Sequence, residues 1–281
     1  MGARLRTGRC LGVARDLGVL WGAARFLAPR LEADDRRDLS TRLAQRTLAT
    51  LGVRVTWSGE TLPPAEPVLV VANHTSWLDV YVLNAIRSMR FVAKAETRGW
   101  PIVGTIASRF DSIFIVRGSC RDAARVKARV GAARRAGESV GVFPEATTTD
   151  GNQVKPFHAA MFQAAVDAGT RVLPVALRYP GPDGRPNAAA AFIDDMTFGA
   201  SLLNVMREPF LHAEARFGAP LETAGRTRRE LAVASRAFIV DALASPASAV
   251  EAPPERLRKE PPWRGLGMPR PLRGRPSLAT T

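Results

Sequence analysis

The sequence predicts an α/β fold in which a mixed, mostly parallel sheet is flanked by helices. Short apolar segments typical of buried strands alternate with segments of helical periodicity from residue 52 to residue 244. Hydrophobic residues make up 46% of the 281 residues, which suits a globular core and is too low for a protein with several membrane spans. We therefore expect N-terminal helices over residues 1–51, an α/β domain over 52–244 and a tail over 245–281.

The individual strands are predicted from apolar runs that Gly, Pro or polar residues bound. The alternation of Val53, Val55 and Trp57 after Gly52 indicates the first strand. The other predicted strands are Val68–Ala72, Phe91–Lys94, Ser112–Arg117, Val140–Phe143 and Val172–Arg178. The predicted helices are Ser40–Leu51 in the N-terminal part and Trp77–Ile86, Arg121–Ala136, Ala159–Ala168 and Thr227–Leu243 in the α/β domain.

The N-terminal segment has the pattern of an amphipathic helix. Its apolar stripe consists of Leu17, Leu20, Trp21, Ala24 and Leu27, and arginines flank it. A spanning helix needs about 20 mostly apolar residues, and charged residues interrupt this stretch. Two interpretations are compatible with each other: a helix that lies in the lipid interface, and a helix that packs on the main domain.

The net charge of the chain favours anionic binding partners. Lys and Arg number 40 against 26 Asp and Glu, a net charge of +14, which attracts nucleic acid, anionic lipid headgroups or an acidic carrier protein. A general preference for Arg and a basic tail also account for part of this excess. The tail after Ala244 is rich in Pro, Arg and Gly, and we expect it to be disordered. Two isolated cysteines, Cys10 and Cys120, indicate a reducing, cytosol-facing compartment.

The segment from Asn73 to Asp79 carries the clearest chemical pattern. It follows a predicted buried strand, at the place where sites form in open α/β sheets. If His74 lies in the loop and folds back over the first helical turn, Asp79 can hold its ring while the other nitrogen takes a proton from a hydroxyl. The alternative is structural, because Ser76 and Asp79 also have the spacing of a helix capping box.

Four segments in series resemble the motifs of the glycerophospholipid acyltransferase family, which includes 1-acylglycerol-3-phosphate and other lysolipid acyltransferases. These segments are His74–Asp79, Ile113–Arg117, Phe143–Thr148 and Leu173–Val175. The likeness covers about residues 52 to 219, with the motifs in the family's order. Each motif alone is weak, but the series is a specific signal.

The resemblance implies an O-acyltransferase that moves a fatty acyl group from acyl-CoA or acyl carrier protein to the hydroxyl of a lysolipid. His74 and Asp79 would be catalytic. Substrate-binding roles are implied for Phe114, Arg117, Glu145, Thr147 and Pro174. Of these, Glu145 would accept from substrate hydroxyls or hold Arg117, and Pro174 would shape the acyl cleft. We expect no metal and no cofactor beyond the acyl donor as co-substrate. We also expect a peripheral or monotopic protein on an anionic membrane surface, at the cytoplasmic face of the inner membrane.

The third motif departs from the family pattern. Ala146 stands where the family has Gly, and Thr148 stands where it has Arg; Thr-rich versions resemble those of lyso-ornithine-lipid acyltransferases. His158 replaces a frequent Lys and is interpreted as a loop residue. Because Arg117 remains for a phosphate, 1-acylglycerol-3-phosphate is the leading acceptor, with lyso-ornithine lipid or another lysophospholipid as the alternative.

Two other classes of protein compete with the enzyme. A basic protein that binds nucleic acid would cluster its arginines on one face beside stacking aromatic residues. Here the arginines are spread along the chain, only two Tyr occur and no recognised module is found, so we expect no nucleic-acid partner. A basic membrane-binding protein, or a silent scaffold that retains the fold, is separated from the enzyme by an activity assay.

Overall fold

The fold is built on a seven-stranded sheet with helices on both faces. It was obtained as a computed structural model, which describes residues 7–59, 66–99, 108–109, 112–115, 120–193 and 195–245. The strands are β1 Val53–Gly59, β2 Leu69–Ala72, β3 Met89–Lys94, β4 Ile113–Ile115, β5 Ser139–Val142, β6 Val172–Arg178 and β7 Leu211–Phe217. The α-helices are α1 Thr7–Gly22, α2 Ala33–Thr50, α3 Leu78–Ile86, α4 Cys120–Arg135, α5 Gln163–Ala168, α6 Phe198–Arg207 and α7 Arg228–Ala244.

The strand order is β1-β7-β6-β2-β5-β3-β4. Only β6 and β7 pair antiparallel; the other neighbouring strands pair parallel. The prediction of a mixed, mostly parallel sheet is therefore confirmed. Strand β7 and helix α6 were not predicted, although β7 alternates strictly between buried and half-buried residues. Helix α2 also begins earlier than predicted, at Ala33.

The two faces of the sheet carry separate apolar cores, because side chains alternate along each strand. On one face Val70 and Ala72 of β2 pack in a core that also contains residues of α1, α2, α3 and α6. On the other face Leu69 and Val71 pack in a core that contains residues of α4, α5 and α7. Strands β2, β5 and β6 are almost wholly buried as a result. The central sheet is thus rigid, and its carboxyl ends can hold side chains in fixed positions.

The N-terminal helices are part of this packing. Val13 of α1 and Leu48 of α2 belong to the same core as β2. Asp16, only 5% exposed, accepts hydrogen bonds from Arg46 at 2.6 and 3.0 Å and another from Thr50. Burial would raise the pKa of Asp16, but these donors and Arg15 outweigh it and lower the pKa. The interpretation of a helix packed on the main domain is correct for α1.

The limits of the three predicted parts stay predictions. The last described residue is Ser245, at the end of α7, so the predicted disordered tail lies outside the described residues. In the described part of the chain, no helix combines the length and the apolar character that crossing a bilayer requires.

Candidate active site

The loop between β2 and α3 leaves the sheet in a fixed direction. Asn73, the first residue after β2, donates from its side-chain amide to the carbonyl of Leu177 and accepts from the Leu177 N–H, each at 2.8 Å. Leu177 belongs to the neighbouring strand β6. The side chain of Asn73 thus continues the ladder between the two strands, and the following residue, His74, emerges at a defined point of the sheet edge.

His74 and Asp79 are in direct contact. The imidazole Nδ1 lies 2.8 Å from Asp79 Oδ2. The same carboxylate oxygen accepts the backbone N–H groups of Thr75 at 2.8 Å and Ser76 at 2.9 Å. Because His74 lies in the loop and Asp79 in the first turn of α3, the spacing of five residues brings the side chains together rather than onto different helix faces.

The capping alternative is partly realised by the same carboxylate. Asp79 accepts from the N–H of Ser76, as the acidic residue of a capping box does. The Ser76 hydroxyl, however, accepts from Leu78 at 3.3 Å, and the residue that precedes the helix is Trp77, which makes no side-chain cap. Asp79 therefore orders the loop and holds the imidazole at once, so the two interpretations do not exclude each other.

The exposure of the pair suits proton transfer. The His74 side chain is 20% exposed, whereas the Asp79 side chain is 0% exposed. The imidazole stacks on Phe143, with ring centroids 4.0 Å apart and planes 12° from parallel. The ring is thus fixed by Asp79 at Nδ1 and by Phe143 on one face, which leaves Nε2 as the nitrogen for a substrate proton.

Glu145 joins the third motif to the first. Its Oε1 accepts the backbone N–H of His74 at 2.8 Å, and its Oε2 accepts the N–H of Lys155 at 2.8 Å. Burial raises the pKa of Glu145 above its usual value despite these two donors. The sequence predicted that this carboxylate contacts substrate hydroxyls or Arg117; in the structure it is 4% exposed and its described partners are backbone amides.

The departures in the third motif are accommodated by the backbone. Ala146 adopts the left-handed conformation with φ 61°, which Gly adopts without strain and residues with a side chain adopt rarely. The Thr148 hydroxyl donates to the carbonyl of Phe192 in the segment after β6. The N–H of Phe192 in turn donates to the carbonyl of Thr75 at 3.0 Å. Phe192 therefore links the turn that contains Thr148 to the loop between β2 and α3.

The other predicted binding residues are placed differently. Thr147 is exposed beside this turn. Phe114 pairs with Ala93 in the β3–β4 ladder, and no described contact joins it to His74. Pro174 is buried opposite Val71, which packs in the core on the sheet face away from Phe143, and its contribution to an acyl cleft stays a prediction. Arg117 lies outside the described residues.

Two aromatic residues of the site were missed. Phe143 was noted only as part of the third motif and of a predicted strand, and its stacking on the imidazole was not predicted. Tyr179, which follows β6, is 3% exposed and donates from its hydroxyl to Asp79 Oδ1 at 2.7 Å. Burial, and then the charge of Asp79, raise the pKa of Tyr179 well above 10, so its hydroxyl keeps its proton. The sequence signal that could have identified Tyr179 is its position directly after a predicted buried strand, in a chain with only two Tyr.

Comparison with known proteins decides the family. The family model described as Acyltransferase matches residues 54–178. The lyso-ornithine lipid O-acyltransferase of Pseudomonas aeruginosa is 36% identical over 232 residues, which are 81% of this chain and 88% of that protein. The chain belongs to the acyltransferase family. The predictions of the family and of an O-acyltransferase are therefore confirmed.

Two further relatives extend this placement within the acyltransferases. The 1-acyl-sn-glycerol-3-phosphate acyltransferase of Neisseria gonorrhoeae is 42% identical over 127 residues, 45% of this chain and 50% of that protein. The crystal structure of PlsC, the 1-acyl-sn-glycerophosphate acyltransferase of Thermotoga maritima, has a TM-score of 0.60 at 19% identity and covers 86% of this chain and 98% of that one. At this identity the structural match supports the fold.

Proposed function

We propose that this acyltransferase esterifies the free hydroxyl of a lysolipid, with His74 as general base. The observation that carries the proposal is the pair formed by the partly exposed imidazole and the buried carboxylate of Asp79, 2.8 Å apart. A carboxylate on Nδ1 fixes the tautomer in which Nε2 accepts a proton, and it stabilises the imidazolium that forms.

The reaction needs no covalent enzyme intermediate. His74 Nε2 takes the proton of the lysolipid hydroxyl while that oxygen attacks the carbonyl carbon of the acyl thioester. The carbon–sulfur bond then breaks, and the imidazolium returns its proton to the departing thiolate. The products are the acylated lipid and a free thiol. The donor is acyl-CoA or the acyl thioester of acyl carrier protein.

Glu145 acts as a positioning residue in this scheme. Its carboxylate holds the backbone N–H of His74 from one side and the N–H of Lys155 from the other. The backbone N–H of Thr149 donates to the carbonyl of His74 at 2.8 Å. Both main-chain polar groups of His74 are therefore bonded to the third motif or to the residue that follows it, which fixes the position of the base.

The position of Thr148 bears on the acceptor. An Arg at this place would offer a fork of donors to a terminal phosphate. Thr148 supplies no charge, and its hydroxyl is engaged by the carbonyl of Phe192. An ornithine headgroup carries a carboxylate and an ammonium group instead of a phosphate dianion. We therefore favour lyso-ornithine lipid as the acceptor, in keeping with the relative that the chain covers over most of its length.

A second acceptor has its own support. Arg117 suits the phosphate of 1-acylglycerol-3-phosphate, and the relative from Neisseria gonorrhoeae carries that name. The sequence analysis favours this acceptor. The two candidate acceptors differ mainly in the charge of the headgroup that would lie beside the third motif.

The acceptor is tested with purified full-length protein, one acyl-CoA and a panel of lysolipids, with products measured by mass spectrometry. We expect kcat/KM for lyso-ornithine lipid to exceed that for 1-acylglycerol-3-phosphate by about tenfold, because one charged hydrogen bond is worth ~1.5–3 kcal/mol. The His74→Ala protein gives the background. A preference for the phosphate acceptor would reverse the assignment of headgroup and leave the proposed reaction intact.

The proposed location is the cytoplasmic face of the inner membrane, with the N-terminal helices on the lipid. Trp21 of α1 and Phe26 of the π-helical segment Ala23–Leu27 that follows it are 40% and 54% exposed, and Arg25 lies over the Phe26 ring. Leu11 is 68% exposed on the same helix. An apolar surface with arginines beside it suits anionic headgroups over acyl chains.

We expect Trp21→Ser combined with Phe26→Ser to weaken sedimentation with phosphatidylglycerol-containing vesicles about tenfold or more, because inserting one such ring is worth ~1.5–3 kcal/mol. The matched control is Val233→Ser combined with Val240→Ser on α7, 70% and 40% exposed in the wild type. Helix α7 packs on the opposite sheet face, so vesicle binding should persist. Equal losses in the two double variants would count against this surface.

A further inference from the structure

The buried carboxylate of Asp79 has a partner that the motif spacing does not include. Its two oxygens have separate tasks: Oδ2 accepts from the loop amides of Thr75 and Ser76 and contacts His74, whereas Oδ1 accepts from the Tyr179 hydroxyl at 2.7 Å. Tyr179 reaches Asp79 from the end of β6, across a sequence separation of 100 residues. The contact therefore depends on the packing of the sheet and α3.

We propose that Tyr179 is a positioning residue that acts on His74 through Asp79, by fixing the carboxylate and limiting its negative charge. This inference rests on the proposed role of His74 as the base. With Oδ1 held by the phenol, Asp79 cannot rotate away from the imidazole. A hydrogen bond to one oxygen also draws electron density from the carboxylate, so the other oxygen stabilises the imidazolium less.

Among the described residues, the titratable groups bonded to His74 or to Asp79 come from three elements. Asp79 comes from α3, Glu145 from the loop after β5 and Tyr179 from the end of β6. Glu145 interacts electrostatically with both residues, since the charge of His74 lowers the pKa of Glu145 and that of Asp79 raises it, although burial is the largest influence. Glu145 is held by backbone amides on both oxygens, so its contribution stays constant when Tyr179 is changed.

The direction of the effect follows from this arrangement. Without the Tyr179 donor, the Asp79 carboxylate keeps more of its charge and favours the imidazolium more strongly. The imidazolium of His74 then keeps its proton to higher pH, so the neutral imidazole needed for catalysis forms only at higher pH. Loss of the hydroxyl should therefore move the acidic limb of the pH profile of kcat/KM upward, by about half a unit to one unit.

The test is Tyr179→Phe in the full-length enzyme, assayed at each pH with one acyl-CoA over a range of lysolipid concentrations, so that kcat, KM and kcat/KM are all obtained. We expect kcat at neutral pH to fall about tenfold, the acidic limb to move to higher pH and the acceptor KM to stay within about twofold. Tyr81→Phe is the matched control, because it removes the chain's other phenol hydroxyl from α3 and Asp79 takes no described bond from it. Its profile should match the wild type.

A second measurement covers the case in which Tyr179→Phe does not fold. The chain has two Tyr, so fluorotyrosine incorporated into the Tyr81→Phe protein changes Tyr179 alone. Fluorination makes the phenol a stronger donor, and the acidic limb should then move to lower pH. An acidic limb at the wild-type position in either experiment, with folded protein, would overturn the inference. Activity that survives in His74→Ala would instead overturn the proposed function.

Discussion

Replacing His74 by Ala should reduce acyl transfer at neutral pH by a factor of ~10²–10⁴, because that is the usual contribution of a general base. The loss should fall on kcat, since the residue removes a proton rather than binding the lipid. Release of the free thiol from acyl-CoA, measured with a thiol reagent, and mass spectrometry of the lipid give two independent readouts.

The fold should survive this change. Asp79 keeps the amides of Thr75 and Ser76 and the Tyr179 hydroxyl when the imidazole is lost, so no buried charge is left unpaired. We expect the melting temperature to change by at most about 5 °C. The matched control is His158→Ala, which removes an exposed loop histidine and should retain wild-type activity. Comparable turnover in the His74 and His158 variants would refute the proposed base.

Replacing Asp79 by Asn should be nearly as damaging to catalysis, with a fall in kcat of about 100-fold or more. Asn can place its oxygen where Oδ2 accepts from the loop amides, and its amide group can donate to the oxygen of Tyr179. The polar contacts that order the loop therefore persist, while the negative charge beside the imidazole is lost.

This substitution separates the two tasks of Asp79. If the carboxylate only ordered the start of α3, the Asn variant would keep full activity and lose little stability. If its charge supports the imidazolium, activity falls while the melting temperature changes little. Thermal unfolding followed by circular dichroism, in parallel with the thiol assay, distinguishes the two outcomes. Full activity of a well-folded Asn variant would assign Asp79 a structural role alone.

Much of the site could be predicted from local sequence because its chemistry depends on local geometry. A buried strand followed by a loop histidine and a helix with an acidic first turn places His74 against Asp79 with only a short piece of backbone between them. The order of apolar segments likewise predicted the layered α/β fold with its mostly parallel sheet. These features follow from patterns that a few consecutive residues carry.

The partners of these residues depend on tertiary structure. Glu145 was expected to face the substrate or Arg117, yet its described partners are the backbone amides of His74 and Lys155. Pro174 was expected to shape an acyl cleft, and the sheet register directs it to the face away from Phe143. Strand order and register decide these outcomes, and both arise from pairing between distant segments.

The sequence by itself determined the contact between His74 and Asp79, the family resemblance and the class of fold, because each is expressed in spacing along the chain. Tertiary structure alone decided that Tyr179 bonds to Asp79, that Phe143 supports the imidazole and that Thr148 is tied to Phe192. The physical reason is that a side chain's neighbours across a sheet are set by which strands lie side by side. Residues far apart in sequence therefore share one site, and no local sequence pattern predicts their contact.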